Sequence, residues 1–319
     1  MSNKYEITVL VCTYNPDINK LIRTLASAVC QKDINIQIVI ADDGSNTFPQ
    51  TLIEDFFQKS SFNDYTYVKS IRNQGTIRNV LNGLKSCNGE YVKLISPGDY
   101  LYKDDSLSKW LDFSKKNNLD FSICDAIWYK SKENKIIPLD HQKVNPRNNT
   151  SFYKGMWYYN YLIFDDNATG ACMLTKRDVL EHYLNIIQDK VKYGEDNCYF
   201  LMAADKLPMK YFHKDAILYE CGTGISTSKE DHWQQTIKKE YFETLKLVND
   251  RLHGNTVFEK SFYKVLRSWK YGSFARRLYH AFLIPGYFID QLGIIFHPRY
   301  SNTNVDKNYL EFLENICDK

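Results

Sequence analysis

What this chain lacks narrows it quickly. No Cys-x-x-Cys pair occurs, and the eight cysteines stand apart at positions 12, 30, 87, 124, 172, 198, 221 and 317. Cys12, Cys124 and Cys172 lie inside apolar runs. Reduced, buried thiols are therefore expected, not a disulfide framework or a thiolate metal site. The seven histidines are dispersed and suggest no metal cluster. No apolar run approaches the roughly 20 residues of a spanning helix. The most apolar stretch, 282–296, is interrupted by Pro285, Gly286, Asp290 and Gln291. The polar start Ser2-Asn3-Lys4-Tyr5-Glu6 does not read as a secretory signal. A clustered basic stripe is missing too. The net charge is only +3, which argues against a nucleic-acid partner. Thr13-Tyr14-Asn15-Pro16, after the first apolar run, contains no glycine. That excludes the Gly-x-Gly-x-x-Gly loop of a dinucleotide-dependent dehydrogenase. No internal repeat is visible.

What is present is an alternation of short β-branched runs and helical periodicities. Strands are predicted over 7–11, 36–41, 65–71, 91–95, 121–128, 171–174 and 216–220. Between them, Ile18, Leu21, Ile22, Leu25 and Val29 repeat at helical spacing, as do Leu52, Ile53, Phe56 and Phe57, then Ile77, Val80, Leu81 and Leu84. Asn15 is read as the N-cap of the first helix and Pro16 as its first residue. Alternation of this kind makes an α/β fold, with a mostly parallel, Rossmann-like central sheet flanked by helices. Residues 130–165 are aromatic, polar and poorly periodic, and read as a long loop region. The expected division is a domain over 1–228, in two halves, one to about 105 and one over 106–228. A helical extension over 229–319 follows. In that extension Lys264, Arg267, Lys270, Arg276 and Arg277 interleave with Phe262, Trp269, Tyr271, Phe274, Tyr279 and Phe282. Such a mixture suits a membrane-interface anchor or a helical pair packed on the preceding domain or on a second copy of the chain.

Four motifs carry the chemistry: Thr13-Tyr14-Asn15-Pro16, Ala41-Asp42-Asp43-Gly44-Ser45, Ser96-Pro97-Gly98-Asp99 and Gly194-Glu195-Asp196. The first three each follow a predicted strand, where open α/β sheets bind ligands. Read alone, the second is a plain turn and the fourth a plain helix start. In this order, together with Asn73-Gln74-Gly75-Thr76-Ile77-Arg78, they resemble the family 2 glycosyltransferases, inverting enzymes with the GT-A fold.

That resemblance implies a nucleotide-sugar donor, most simply a UDP-sugar. Thr13, Tyr14, Asn15, Asp42 and Asp43 would meet its base, and Asn73, Gly75 and Arg78 its base or diphosphate. Ser96, Pro97 and Gly98 stand where most members have Asp-x-Asp, so Asp99 alone is left to hold Mg²⁺ or Mn²⁺, weakly without nucleotide. Asp196, with Glu195 beside it, would be the general base. The acceptor would be a lipid-linked oligosaccharide or another glycan, in capsule, exopolysaccharide or cell-wall synthesis at the cytoplasmic face of the membrane. Homodimerisation through the extension is a further expectation. The degraded acidic motif also fits a non-catalytic subunit that binds nucleotide-sugar for a partner transferase. The segment Glu220–Ser226 is assigned a lid role and no chemistry.

Overall fold

The computed structural model describes residues 5–147, 156–222, 224, 230–284 and 286–316. Its centre is β1 (Tyr5–Thr13), buried along its length except at Glu6. Continuous β-branched strands of this kind are covered on both faces, as in parallel sheets. β2 (Ile36–Asp42) and β4 (Gly89–Ile95) flank β1 in parallel, and β3 (Tyr65–Lys69) lies outside β2. The crossovers are α1 (Ile18–Val29), α2 (Gln50–Lys59) and α3 (Thr76–Leu84). Beyond β4 the sheet changes direction. After the short β5 (Tyr100–Leu101) and α4 (Ser106–Lys116) comes β6 (Phe121–Lys132). The nine-stranded sheet runs β3-β2-β1-β4-β8-β6-β9-β5, with β7 (Lys135–Pro138) on β6. β8 (Met173–Lys176) is antiparallel between β4 and β6, whereas β9 (Met209–Glu220) is parallel to β6. α5 (Trp157–Leu162), α6 (Arg177–Ile187) and α7 (Cys198–Ala204) cover this half.

Two expectations are corrected here. The first helix begins at Ile18 and is capped by Asp17, whose carboxylate accepts the Lys20 N–H at 3.1 Å. Asn15 has φ +44°, so it cannot extend into that cap. Its N–H instead donates to Ser45 Oγ at 2.7 Å, tying the loop after β1 to the loop after β2. The second correction lies in 130–165, which is not one loop. β6 continues to Lys132 and folds back as β7 through Glu133 and Asn134, both at positive φ as a tight hairpin turn requires. Residues 148–155 of that region lie outside the described residues.

The segment beyond 229 is helical, as expected: α8 (Asp231–Asn249), α9 (Val257–Ser268), α10 (Ser273–Leu283), α11 (Tyr287–Phe296) and α12 (Lys307–Asn315). α8 packs on α7, and α9 packs on α5 and α8. α12 returns to the first half of the chain. Its Leu310 and Leu313 share a small core with Tyr100, Tyr129, Ile136 and Leu218. Arg23 of α1 donates to the Glu314 carbonyl at 3.1 Å.

Candidate active site

A cavity of about 930 Å³ opens at the carboxyl ends of β1 and β4. Thr13, Tyr14 and Asn15 line one side, and Ser96, Pro97 and Asp99 another. Glu195 and Asp196 line it too, with Asp165, Asn167 and Thr169. Three of the four motifs therefore meet around one space. Tyr14 is half exposed, leaving a ring face open to a ligand.

Glu195 and Asp196 form a single 3-10 turn ahead of α7. Burial pushes both carboxyls above the usual carboxylate range, and the Asp196 charge raises Glu195 further. Gly170 faces them. A Cβ there would stand 3.2 Å from Asp196 Cβ, so the glycine leaves room for the acid. The loop before this pair is held from α8. The buried Glu240 carboxylate accepts the N–H groups of Lys192 (2.9 Å), Tyr193 (3.1 and 3.2 Å) and Gly194 (3.0 Å).

The second acidic group is at the end of β4. Asp99 is buried, its Oδ1 accepts the Glu220 N–H at 3.2 Å, and burial pushes its carboxyl up to about 7. Glu220 closes β9 with a buried carboxylate, both of whose oxygens lie 2.7 Å from Lys20 Nζ. This donor set does not suit Mg²⁺ or Mn²⁺ as it stands. Those ions take oxygen ligands in a near-octahedral shell, commonly one or two carboxylates plus phosphate and water. Ser96 offers a hydroxyl and Gly98 no side chain, and the nearest second carboxylate already holds an ammonium. Among the described residues no group of three or more His, Cys, Asp or Glu is arranged to hold a metal.

The remaining predicted residues do not line the cavity. Asp42 is buried and accepts from Thr13 Oγ1 at 3.1 Å and from the Ser45 N–H at 2.9 Å. Asp43 accepts the N–H groups of Gln74 and Gly75, both at 2.8 Å. The amides of Gln74 and Gly75 ahead of that helix are thus bonded, and Ile77 N–H donates to the Lys192 carbonyl at 3.1 Å. Gly75 has φ +94°, and a Cβ there would collide with Lys192 at 2.4 Å. The Asn-x-Gly segment is therefore a strut between the loop after β2 and the loop leading to Glu195. Asn73 is exposed, and Arg78 points to Asp189 at 3.8 Å, away from the cavity. Gly98 is buried, and its carbonyl accepts from the Tyr129 hydroxyl.

Sequence reasoning missed Lys20, Glu220 and Glu240, and it missed the wall built by the extension. Gln234, Ile237, Lys238 and Tyr241 of α8 line the cavity with Trp269 and Arg276. Arg276 lies 4.6 Å from the Trp269 ring centroid, and the Tyr241 hydroxyl donates to Asp165 at 3.1 Å. The only advance signal was the Trp-plus-Arg composition of that segment.

Residues 8–184 match the family model described as glycosyl transferase family 2. The chain belongs to that family. An uncharacterized glycosyltransferase of Rickettsia felis is 25% identical over 225 residues, 70% of this chain and 34% of that protein. One of Mycoplasma pneumoniae is 26% identical over 131 residues, 40% of this chain and 43% of that protein. The chain spans 34% of the length of the Rickettsia relatives it matches. Among solved structures, the mannosyltransferase PcManGT of Pyrobaculum calidifontis, in complex with GDP-Man and Mn²⁺, has a TM-score of 0.58 at 12% identity, covering 94% of this chain and 77% of that one. TarS 1-349 of S. aureus with UDP-GlcNAc has a TM-score of 0.55 at 14% identity, covering 98% and 87%. At such identities the likeness is one of fold. This family 2 member has the GT-A architecture, with helices added after the last sheet strand.

Proposed function

We propose that the protein is an inverting glycosyltransferase that moves a sugar from a nucleotide-sugar to an acceptor hydroxyl. The observation that carries this reading is the meeting of Asp196 with the loops after β1 and β4 in one cavity. Asp196 takes the acceptor proton while that oxygen attacks the anomeric carbon. The bond from that carbon to the diphosphate oxygen breaks on the opposite face, and the nucleoside diphosphate leaves with the electron pair. A positioned carboxylate base contributes about 10²- to 10⁴-fold. Its raised proton affinity, from burial, strengthens it as a base.

Tyr14 supports stacking of the base, and Asp42 acts by fixing Thr13 and the Ser45 loop. The family resemblance implies a UDP-sugar, and TarS, similar in fold, is in complex with UDP-GlcNAc, so UDP-sugars are the first donors to test. Tyr241, Trp269 and Arg276 offer an aromatic and cationic wall to a glycan or lipid-linked oligosaccharide, of the kind used for capsule, exopolysaccharide or cell wall. Membrane contact falls to α10 and α11. Among the described residues no single helix is long and apolar enough to cross a membrane, but these two form one bent pair that passes by length and composition, with an angle of 114°. Phe274, Phe282, Phe288, Ile289, Ile295 and Phe296 are exposed on it. Lys264, Arg267, Lys270 and Arg277 lie nearby in the chain, and together they suit anionic lipid at the cytoplasmic face.

A thermal-shift panel of UDP- and GDP-sugars tests the donor reading without any acceptor, because a ligand of the folded state raises Tm by mass action. A rise of a few degrees with at least one donor is expected. No rise with any of them contradicts it.

A further inference from the structure

The acidic motif of this family member is not merely short of a carboxylate; the vacated space is filled. Gly98 has φ +104°, and a Cβ there would stand 2.5 Å from Glu220 Oε2 and 3.6 Å from Lys20 Cδ. An acidic side chain at 98 would therefore meet both a steric overlap and a like charge. Glu220 arrives from the end of β9, and Lys20 from the first turn of α1. Their ion pair has both carboxylate oxygens 2.7 Å from the ammonium. Glu220 is almost sealed, its side chain 3% exposed, whereas Lys20 keeps 22%. Both line the cavity beside Asp99 and Ser96. An ammonium has three donors, so a partner beyond Glu220 remains open to it.

We infer that Lys20 is the resident cation of the donor site: its ammonium, held by Glu220 beside Asp99, meets the donor diphosphate in place of a divalent ion. This rests on the nucleotide-sugar reading above. A lysine serves phosphate as a point charge. One already fixed in place meets the charge that develops on the leaving diphosphate with little reorganisation. No proton moves in this role. The ammonium stays protonated, and the diphosphate leaves as the anion.

Calorimetric titration of the full chain with UDP and GDP, and with the matching nucleosides, tests this in EDTA and in excess MnCl₂. For whichever diphosphate binds, wild-type affinity should change less than about threefold between the two conditions. Lys20→Met should lose about tenfold or more in EDTA, with unchanged nucleoside affinity. Mn²⁺ should restore much of that loss, because the Glu220 carboxylate is then free to ligate. Lys20→Arg should keep most of the affinity in EDTA. Glu220→Gln keeps the Lys20 charge and loses only its anchor, so it should lose clearly less diphosphate affinity in EDTA than Lys20→Met.

Wild-type binding only with Mn²⁺ would overturn the inference. So would an equal loss in Lys20→Met and Glu220→Gln, which would make the pair a structural clamp. If neither diphosphate nor nucleoside binds the folded wild type, the donor reading itself fails and this inference falls with it.

Discussion

Asp196 is the base in the proposed reaction, and its buried environment makes that role testable in two ways. Asp196→Asn keeps the shape but cannot take a proton. Transfer should fall at least about 10²-fold while donor KM stays near wild type, read by nucleoside-diphosphate release. The wild-type rate should rise with pH along an acid limb lying above the usual carboxylate value of about 4. Burial raises the Asp196 and Glu195 carboxyls in the folded state. The native protein therefore holds protons that the unfolded chain releases. Stability present at low pH is lost as pH rises from the unfolded values through the folded ones. Asp196→Asn should thus melt above wild type near pH 8 and close to it near pH 4. The opposite order of Tm values would mean that the carboxylate is stabilised as an ion.

The place of Asp196 on the cavity was legible because Gly194-Glu195-Asp196 is one short segment with a family pattern. The Lys20–Glu220 pair was not, because 200 residues separate the two, Lys20 belongs to no motif and the Glu220–Ser226 segment carried no chemistry. Asp42 and Asp43 were readable as a motif, but their hydrogen bonds to Thr13, Ser45, Gln74 and Gly75 were not. Acidic turn residues look alike whether they meet a ligand or the backbone of the next loop.

At the scale of elements, the central strands were legible because parallel strands buried on both faces leave continuous β-branched runs. The β6–β7 hairpin was not, since Glu133-Asn134 is a weak form of the usual turn signal. α8 was legible as a charged helix, but not as a support for the site. Helical periodicity gives no sign that one acid among many, Glu240, is turned inward to accept three backbone N–H groups. Glu240→Ala would leave those donors unpaired and should destabilise the protein by about 2 kcal/mol or more. It should also lower kcat more than it raises donor KM, because Asp196 loses its register against the acceptor. Glu240→Gln keeps one acceptor oxygen and should recover part of both. Unchanged kcat in a folded Glu240→Ala protein would separate α8 from catalysis.

For the whole molecule, the extension is part of the fold and also the candidate membrane face. Cutting the chain near residue 262 would remove Trp269 and Arg276 from the cavity and α12 from the α1 side, so truncation confounds the two roles. Phe282 and Phe296 are 84% and 71% exposed and do not line the cavity. Phe282→Glu with Phe296→Glu should release the protein from anionic vesicles in sedimentation while leaving donor turnover in solution near wild type. If the double variant still sediments, or wild type never does, the apolar face serves something other than lipid. Light scattering then shows whether that is a second copy of the chain.

Inversion itself is open to direct measurement with water as the acceptor. The protein is incubated with an α-linked nucleotide-sugar that raises its Tm, and the released sugar is followed by ¹H NMR before it mutarotates. The β-anomer should appear first, and Asp196→Asn should release almost none. Appearance of the α-anomer first would contradict single displacement. A donor that binds but is never turned over, with or without acceptor glycans, would make the protein a nucleotide-sugar-binding subunit instead of a transferase.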